Sequence, residues 1–228
     1  MKLAGALCCA ALVVSAAGRS DGNGLLVATT LGDVQGTLDA KNNVRLWQGI
    51  PYARPPVNEL RFDYPKVAEK YNGVYQANFM APGCPQTCKL PPGNCPATTS
   101  EDCLYLTVFA PTAAPKNPAG HPVLFWMHGG AYEQGMGNCA LYNGTQFAQQ
   151  DVITVAINYR LGALGFMASP SLKGNYGMLD QRLAMEWVKD NIKGFGGDPT
   201  SVTIAGQSAG AMSVSSHLTS AGSKVSLG

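Results

Sequence analysis

The sequence predicts an α/β fold in which a mostly parallel sheet is flanked by helices. Three β-rich runs are almost entirely apolar, as strands covered on both faces are, and they span residues 123–127, 152–157 and 202–205. One strong helical pattern lies between the last two runs, and a second helical stretch follows them. Strands and helices that alternate in this order are typical of α/β proteins.

The composition indicates a folded chain and excludes a nucleic-acid binder of the basic type. Of the 228 residues, 46% are hydrophobic and 13% are charged, so the chain can bury a core. The 16 Lys and Arg residues against 14 Asp and Glu residues leave a net charge of +2, too small an excess to neutralise a run of phosphates. The 27 glycines and 15 prolines predict many turns and argue against a compact helical bundle.

Residues 1–18 are interpreted as a signal peptide. Lys2 precedes an apolar stretch, and small residues follow that stretch, so cleavage is expected near Ala17 or Gly18. A membrane anchor or a buried helix are the alternatives, but the stretch is shorter than the roughly 20 apolar residues that span a bilayer. We therefore expect a secreted protein that has no membrane-spanning segment.

Two further strands and two proline-rich connections are expected between the leader and the apolar runs. The strands are predicted at residues 44–47 and 104–109, and the early region as a whole predicts hairpins and loops. Five prolines and three cysteines within residues 81–100 predict a surface loop held by disulfides. Residues 111–122 are either a domain linker or a surface connection within one domain, and the second interpretation is simpler.

The strong helical pattern covers residues 178–192. Its apolar residues form two neighbouring rows along one side of a helix: Leu179, Leu183 and Trp187, then Ala184, Val188 and Ile192. Three glycines and Pro199 follow, and these residues are expected to end the helix.

A Gly-x-Ser-x-Gly motif lies between a predicted strand and a predicted helical stretch. Gly206, Ser208 and Gly210 follow a β-rich run and precede a helical stretch, which predicts the strand–turn–helix geometry of a nucleophile elbow. Side chains at the two glycine positions would collide with the neighbouring strand and helix, because the turn is tight. Ser208 is therefore the candidate nucleophile. The alternative is a Gly/Ser-rich loop without chemistry.

A second motif provides candidate backbone N–H donors for the negative charge that forms when a serine attacks an ester. Attack on an ester carbonyl builds negative charge on the carbonyl oxygen, and backbone N–H groups can hold that charge. His128, Gly129 and Gly130 directly follow the strand predicted at 123–127, at the place of an HGGG-type oxyanion loop. The candidate oxyanion donors are the amides of Gly129, Gly130 and Ala209.

Secretion would favour disulfides over a metal site for the cysteines beyond the leader. Four of them are close in sequence and allow three pairings: Cys84, Cys88, Cys95 and Cys103. Cys139 is either a free thiol or the partner of a residue that this chain lacks. No metal or cofactor is expected. Asn143 begins the one N-glycosylation sequon, which we expect to be exposed and glycosylated.

Taken jointly, the motifs resemble the type-B carboxylesterases, the carboxylesterase/cholinesterase branch of the α/β-hydrolases. The similar segments are Gly49-Ile-Pro-Tyr-Ala, Glu101-Asp-Cys-Leu-Tyr-Leu, His128-Gly-Gly-Ala, Asn158-Tyr-Arg-Leu-Gly, Asp180-Gln, Phe195-Gly-Gly-Asp-Pro and Gly206-Gln-Ser-Ala-Gly. The resemblance implies an α/β-hydrolase fold and hydrolysis of a small-molecule ester through an acyl-enzyme on Ser208. It also implies a Cys84–Cys103 disulfide and, within that loop, a Cys88–Cys95 disulfide. It does not indicate an oligomeric state.

Two departures from the family bear on specificity. Gln207 stands where many members have Glu, and residues 84–103 contain no tryptophan, which cholinesterases use to face a quaternary ammonium. A generalist carboxylesterase or lipase-like enzyme therefore fits better than a choline esterase.

The chain lacks a complete catalytic triad. No Asp or Glu follows Ser208, and the one histidine there, His217, would lie roughly 13 Å away along a helix. We expect His217 to be structural, His128 to be held by local hydrogen bonds and His121 to be solvated. Residues 19–228 are thus interpreted as the truncated N-terminal part of a single α/β-hydrolase domain, ending after the nucleophile elbow. Its sheet should have an open edge. The alternatives are a non-catalytic adhesion or binding relative and an inactive truncated product.

Overall fold

The structure is a computed structural model that describes residues 23–223. The predicted signal peptide, residues 1–18, lies outside the described residues, as do residues 224–228. The strands of the described part are β1 (Leu26–Thr29), β2 (Gly32–Gln35), β3 (Thr37–Asp39), β4 (Val44–Pro51), β5 (Tyr75–Gln76), β6 (Tyr105–Pro111), β7 (His121–Met127), β8 (Ile153–Ile157) and β9 (Gly197–Gly206). Its α-helices are α1 (Thr145–Ala148), α2 (Gly162–Phe166), α3 (Tyr176–Asn191) and α4 (Ala209–Thr219).

A six-stranded sheet in the order β3-β4-β6-β8-β7-β9 forms the centre of the fold. Strands β8, β7 and β9 are parallel, whereas β3, β4, β6 and β8 pair in antiparallel fashion. The α/β prediction is confirmed, and the structure adds that this sheet is mixed. Because β8, β7 and β9 are parallel and in register, their last residues, Ile157, Met127 and Gly206, lie at one edge of the sheet.

All five predicted strands are present, and a second sheet accompanies them. It has three strands in the order β1-β2-β5, of which β1 and β2 form a hairpin. The predicted hairpins of the early region thus include a small separate sheet. Among the described residues 23–223, no helix is both long enough and apolar enough to cross a membrane.

The core is built on β8 and on one row of α3. All five residues of β8 are buried, as expected for a strand covered on both faces. In α3 and directly after it, the predicted row of Ala184, Val188 and Ile192 is buried. In the other row Trp187 is buried, whereas Leu179 and Leu183 are only half-buried. The apolar pattern is therefore buried more completely in the second half of the helix than in the first.

Strand β9 differs from the other apolar runs. It is the last strand in the order of the sheet, and no described strand pairs with its outer edge. Thr203 is exposed, and Val202 and Ile204 are only half-buried. Coverage of both faces, which its apolar sequence predicts, is therefore incomplete within residues 23–223.

The described cysteines form two disulfides. Cys84 is bonded to Cys103 and Cys88 to Cys95, with Cα–Cα distances of 5.0 and 5.8 Å. These are the pairs that the family resemblance implied. Cys139 is free and buried. The first disulfide ties the proline-rich loop to the residues that precede β6.

A buried ion pair joins the segment after β8 to helix α3. The guanidinium of Arg160 donates to both carboxylate oxygens of Asp180, from Nη2 at 2.7 Å and from Nε at 2.8 Å. The backbone N–H of Arg160 donates to the same carboxylate at 3.0 Å, and Nη1 donates to the carbonyl oxygen of Asp63 at 2.8 Å. The side chains of Arg160 and Asp180 are 3% and 0% exposed, so each needs the opposite charge of the other to offset the free-energy cost of burying its own charge.

We expect Asp180→Ala to lower the free energy of unfolding by about 3–5 kcal/mol, because it leaves the Arg160 guanidinium buried without its counter-charge. Urea unfolding followed by circular dichroism measures this loss. Asp190→Ala removes an exposed acid from the same helix and is the matched control, with an expected change of about 0.5 kcal/mol or less. A loss below about 1 kcal/mol in Asp180→Ala would contradict the assigned role.

Candidate active site

Ser208 lies in the turn between β9 and α4 and is exposed. Its φ of 54° and ψ of −120° fall in a region that residues other than glycine rarely adopt. A Cβ added at Gly206 would contact the carbonyl carbon of Gly210, and a Cβ added at Gly210 would contact the carbonyl oxygen of Met127. The collisions expected at the two glycines are therefore present, and the strained turn holds the serine clear of both elements.

The loop that follows β7 runs directly beside Ser208, because β7 and β9 are neighbours in the sheet. A Cβ added at Gly129 would lie 2.5 Å from the carbonyl oxygen of Gln207 and 3.1 Å from the Cβ of Ser208. Gly130 has a φ of 110°, which favours glycine, and a Cβ there would contact the carbonyl oxygen of Gln134. Only a backbone without side chains fits so closely against the serine.

The third candidate donor is at the start of a helix. Ala209 is the first residue of the 11-residue helix α4 and is buried. The amides in the first turn of a helix have no intrahelical acceptor, and the helix dipole favours negative charge there. The structure thus brings Ser208, Gly129 and Ala209 together at one edge of the sheet, with Gly130 adjacent in the loop.

Tyr159 and His128 hold the glycine loop in place. The phenol of Tyr159 donates to the carbonyl oxygen of His128 at 2.7 Å, and the two rings stack with centroids 4.4 Å apart. Nδ1 of His128 bonds to the carbonyl oxygen of Gly129 at 2.7 Å, as expected for a histidine held by local hydrogen bonds. Burial lowers the pKa of His128 to about 4, so the ring is neutral at physiological pH.

Two amide side chains support the same loop further along. Oδ1 of Asn158 accepts from the N–H of Gly137 at 2.8 Å. Gln86 donates to the carbonyl oxygen of Gly135 at 2.8 Å and accepts from its N–H at 2.6 Å. No motif in the sequence predicts the roles of Tyr159, Asn158 and Gln86, although Asn158-Tyr-Arg-Leu-Gly is one of the segments that resemble the family.

Gln207 contacts an aromatic side chain beside the serine. The phenol of Tyr142 donates to Oε1 of Gln207 at 3.0 Å, and its ring packs against Trp126 with centroids 5.3 Å apart. Partial burial raises the pKa of Tyr142. The residue before Ser208 is therefore a neutral hydrogen-bond acceptor rather than a carboxylate.

His121 is not solvated, and that prediction was wrong. It is 2% exposed, and its ring nitrogens bond to the carbonyl oxygens of Asp151 and Ala113, each at 3.1 Å. Its proline-rich surroundings indicated a loop, but His121 is the first residue of β7 and lies in the sheet.

His217 is buried in α4 and bonds away from the serine. Its Nε2 bonds to Oε1 of Gln181 at 2.9 Å and its Nδ1 to Oγ of Ser223 at 2.8 Å, as a structural histidine would. Burial, with a smaller effect from the Arg182 charge, lowers its pKa to about 4. None of the hydrogen bonds of the three described histidines reaches Ser208. Within residues 23–223, no group of three or more His, Cys, Asp or Glu side chains is placed to hold a metal ion.

The family model for the carboxylesterase family matches residues 23–227. The chain belongs to the carboxylesterase family. Among its relatives, the cAMP-regulated D2 protein of Dictyostelium discoideum is 47% identical over 196 residues, which are 86% of this chain and 36% of that protein. The para-nitrobenzyl esterase of Bacillus subtilis (strain 168) is 44% identical over 200 residues, which are 85% of this chain and 40% of that enzyme.

Solved structures show the fold of this carboxylesterase-family chain directly. A thermophilic PNB esterase matches it with a TM-score of 0.82 and 43% identity, over 88% of this chain and 42% of that one. The predicted α/β-hydrolase fold is thereby confirmed. The chain spans well under half the length of the relatives and the structure that it matches.

The lowered pKa values of two buried histidines predict that the free energy of unfolding depends on pH. His128 and His217 have pKa values of about 4 in the folded chain, below the ordinary value of 6.5. The unfolded chain therefore binds more protons between pH 6.5 and 4, and the free energy of unfolding falls as pH falls through this window. We expect a loss of about 2 kcal/mol for each histidine between pH 7 and pH 5.

Urea unfolding at pH 7, 6 and 5 measures this loss. His217→Gln is expected to reduce the loss by about half, because one of the two titrating groups is removed. A wild-type free energy of unfolding that is constant over this range would show that the two rings are not held neutral by the fold.

Proposed function

We propose that this carboxylesterase-family chain is the N-terminal part of a serine carboxylic ester hydrolase that acts through an acyl-enzyme on Ser208. The observation that supports this most strongly is the position of Gly129, whose backbone lies against Ser208 so closely that a Cβ would be 3.1 Å from the serine Cβ. A nucleophile and a glycine loop in direct contact are what acyl transfer requires.

We propose a role for each residue of this site. The hydroxyl oxygen of Ser208 attacks the ester carbonyl carbon, and the carbonyl oxygen takes up the negative charge. The N–H groups of Gly129, Gly130 and Ala209 donate to that oxygen, and the dipole of α4 adds to their effect. The histidine of the triad accepts the proton of the Ser208 hydroxyl and gives it to the alcohol oxygen as the ester C–O bond breaks, which leaves the acyl group on Ser208. Water then attacks this acyl-enzyme, the carboxylic acid leaves, and the proton returns to Ser208.

We further propose that the histidine and the acid of the triad come from sequence beyond this chain. A serine hydroxyl is a poor nucleophile until a histidine accepts its proton. The sequence has no Asp or Glu after Ser208, and His217 bonds to Gln181 and Ser223 instead. The proposed domain is therefore incomplete in residues 19–228, and the 228-residue chain should show no useful esterase turnover.

The proposed substrate is a small neutral ester. The names of the relatives para-nitrobenzyl esterase and PNB esterase support ester hydrolysis. Gln207 places a neutral amide rather than a carboxylate beside the serine, and the loop closed by the Cys84–Cys103 disulfide has no tryptophan to face a quaternary ammonium. Both features disfavour a choline ester.

We also propose that the protein is secreted and is glycosylated at Asn143. Two disulfides among the described residues suit an oxidising compartment. Asn143 is exposed at a short turn, where its Oδ1 accepts from the N–H of Thr145 at 2.9 Å. A glycan attached there would meet solvent.

Labelling with a fluorophosphonate tests the nucleophile. In a parent chain as long as the relatives, we expect the probe to label Ser208 and Ser208→Ala to abolish the labelling, detected by gel fluorescence and peptide mass spectrometry. Ser215→Ala removes an exposed serine from α4 and is the matched control, so its labelling should equal that of the wild type. Labelling that survives Ser208→Ala would show that another residue is the nucleophile, and an absence of labelling from the wild type would support a non-catalytic binding relative instead.

Gly129→Ala tests the oxyanion loop in the same parent chain. The added methyl group would lie against Gln207 and Ser208, so the loop must move and the donors shift away from the developing charge. We expect kcat for a p-nitrophenyl ester to fall by about 100-fold or more. A loss below about tenfold would mean that the Gly129 amide is not an oxyanion donor.

A further inference from the structure

The dipeptide Asn-Gly occurs three times in the chain, at residues 23–24, 72–73 and 143–144. Its glycine nitrogen is able to attack the side-chain amide carbon of the asparagine, because a residue without a Cβ leaves that approach open. The reaction requires an asparagine side chain that is free to turn and a glycine N–H that water reaches. The three sites meet these requirements to very different degrees.

Asn72 and Gly73 lie in an exposed turn that leads into β5. Neither the Asn72 side chain nor the Gly73 N–H forms a hydrogen bond with any of residues 23–223. Gly73 has a φ of 83°, and a Cβ added there would meet no atom within 4 Å. The two groups that would react are therefore neither held nor covered by neighbouring residues.

The chain is anchored on both sides of this turn. The N–H of Tyr71 donates to the carbonyl oxygen of Leu31 at 2.8 Å, and Tyr75 pairs with Val34 of β2. The rings of Tyr71 and Tyr75 stack with centroids 4.7 Å apart. Rotations within the exposed turn thus bring the reacting atoms together, and no strand has to open.

The site at Asn143 is the opposite case. Its Oδ1 accepts from the N–H of Thr145 at 2.9 Å, which fixes the side chain. Gly144 is buried, and a Cβ added there would lie 2.7 Å from the Cβ of Thr154 and 2.8 Å from Cδ2 of Phe109. Moving the Gly144 nitrogen onto the amide carbon would disrupt this packing and the hydrogen bond.

The site at Asn23 is intermediate. Asn23 is exposed, but Gly24 is half-buried and its carbonyl oxygen accepts from Nη1 of Arg45 at 3.0 Å. A Cβ added at Gly24 would lie 2.9 Å from the same Nη1 atom. The arginine therefore restricts the glycine, although it leaves the asparagine accessible.

From this contrast we propose that Asn72 is a deamidation site, at which the folded chain acquires a carboxylate as it ages in solution. The Gly73 nitrogen bonds to Cγ of Asn72, and the side-chain nitrogen leaves as ammonia with the proton of the Gly73 N–H, which closes a succinimide ring. Water then opens the ring at one of its two carbonyl carbons. The products are aspartate and isoaspartate at position 72, each with one negative charge more than asparagine.

The experiment follows all three sites in one sample. The 228-residue chain, produced without glycosylation so that Asn143 is unmodified, is incubated in the folded state at pH 8 in oxygen-18 water. The heavy oxygen enters the new carboxylate and distinguishes this reaction from deamidation during digestion. Peptide mass spectrometry gives each rate. We expect Asn72 to react at least tenfold faster than Asn143 and at least threefold faster than Asn23.

The same incubation in guanidinium chloride, above the unfolding midpoint, is the matched control for the fold. Each asparagine is then followed by an unrestrained glycine, so the rates at Asn72 and Asn143 should lie within about threefold of each other. A ratio that stays above tenfold in the unfolded chain would show that the local sequence sets the rates, and the structural assignment would be overturned.

Ion-exchange chromatography of the intact folded chain gives an independent outcome. The wild type should convert with time into a more acidic form. Asn72→Gln should convert at least fivefold more slowly, because the longer side chain must close a six-membered ring, whereas Asn143→Gln should convert like the wild type. Equal rates at Asn72 and Asn143 in the folded chain, or an acidic form that appears as fast in Asn72→Gln as in the wild type, would overturn the proposal.

Discussion

The candidate site depends on one steric constraint, the close approach of the turn around Ser208 to the end of strand β7. The backbone of Gly210 lies so near the carbonyl oxygen of Met127 that any side chain there would collide with it, and Gly129 meets the serine turn from the other side. Ser208 has its rare backbone conformation in this turn, and its Cβ lies against the backbone of Gly129. The chemical roles proposed for the residues around Ser208 rely on these elements being this close.

The three consecutive residues after β8 hold the glycine loop and helix α3 in place through their side chains. Asn158 bonds to the N–H of Gly137 in the glycine loop, and Tyr159 bonds to the carbonyl oxygen of His128 in the same loop. Arg160 turns away from the loop and pairs with Asp180 in helix α3. One short segment thus connects the glycine loop to helix α3. Disturbance of the buried ion pair should be felt at the loop as well as in the core.

The fold brings the turn around Ser208 against the glycine loop, whereas the hydrogen bonds of the described histidines lead to other residues. The turn around Ser208 and the glycine loop lie where β9 and β7 end and where α4 begins. The described histidines are all engaged elsewhere, two of them neutral because burial lowers their pKa. The outer edge of β9 has no partner among residues 23–223, which is consistent with a chain that spans about two fifths of the length of its relatives.

The sequence by itself predicted five of the nine described strands, the main helix and the family, because hydrophobic periodicity and glycine spacing are local properties that can be recognised without a structure. It also indicated that Ser208, Gly129 and Ala209 belong together, since each motif follows a strand. It could not determine burial that depends on distant residues. His121 is buried because the carbonyl oxygens of Asp151 and Ala113 bond to its ring, and Leu179 and Leu183 are only half-buried although they belong to the same apolar row as the buried Trp187. Only the tertiary structure decided which polar atoms found partners, because such partners come from residues far apart in the chain.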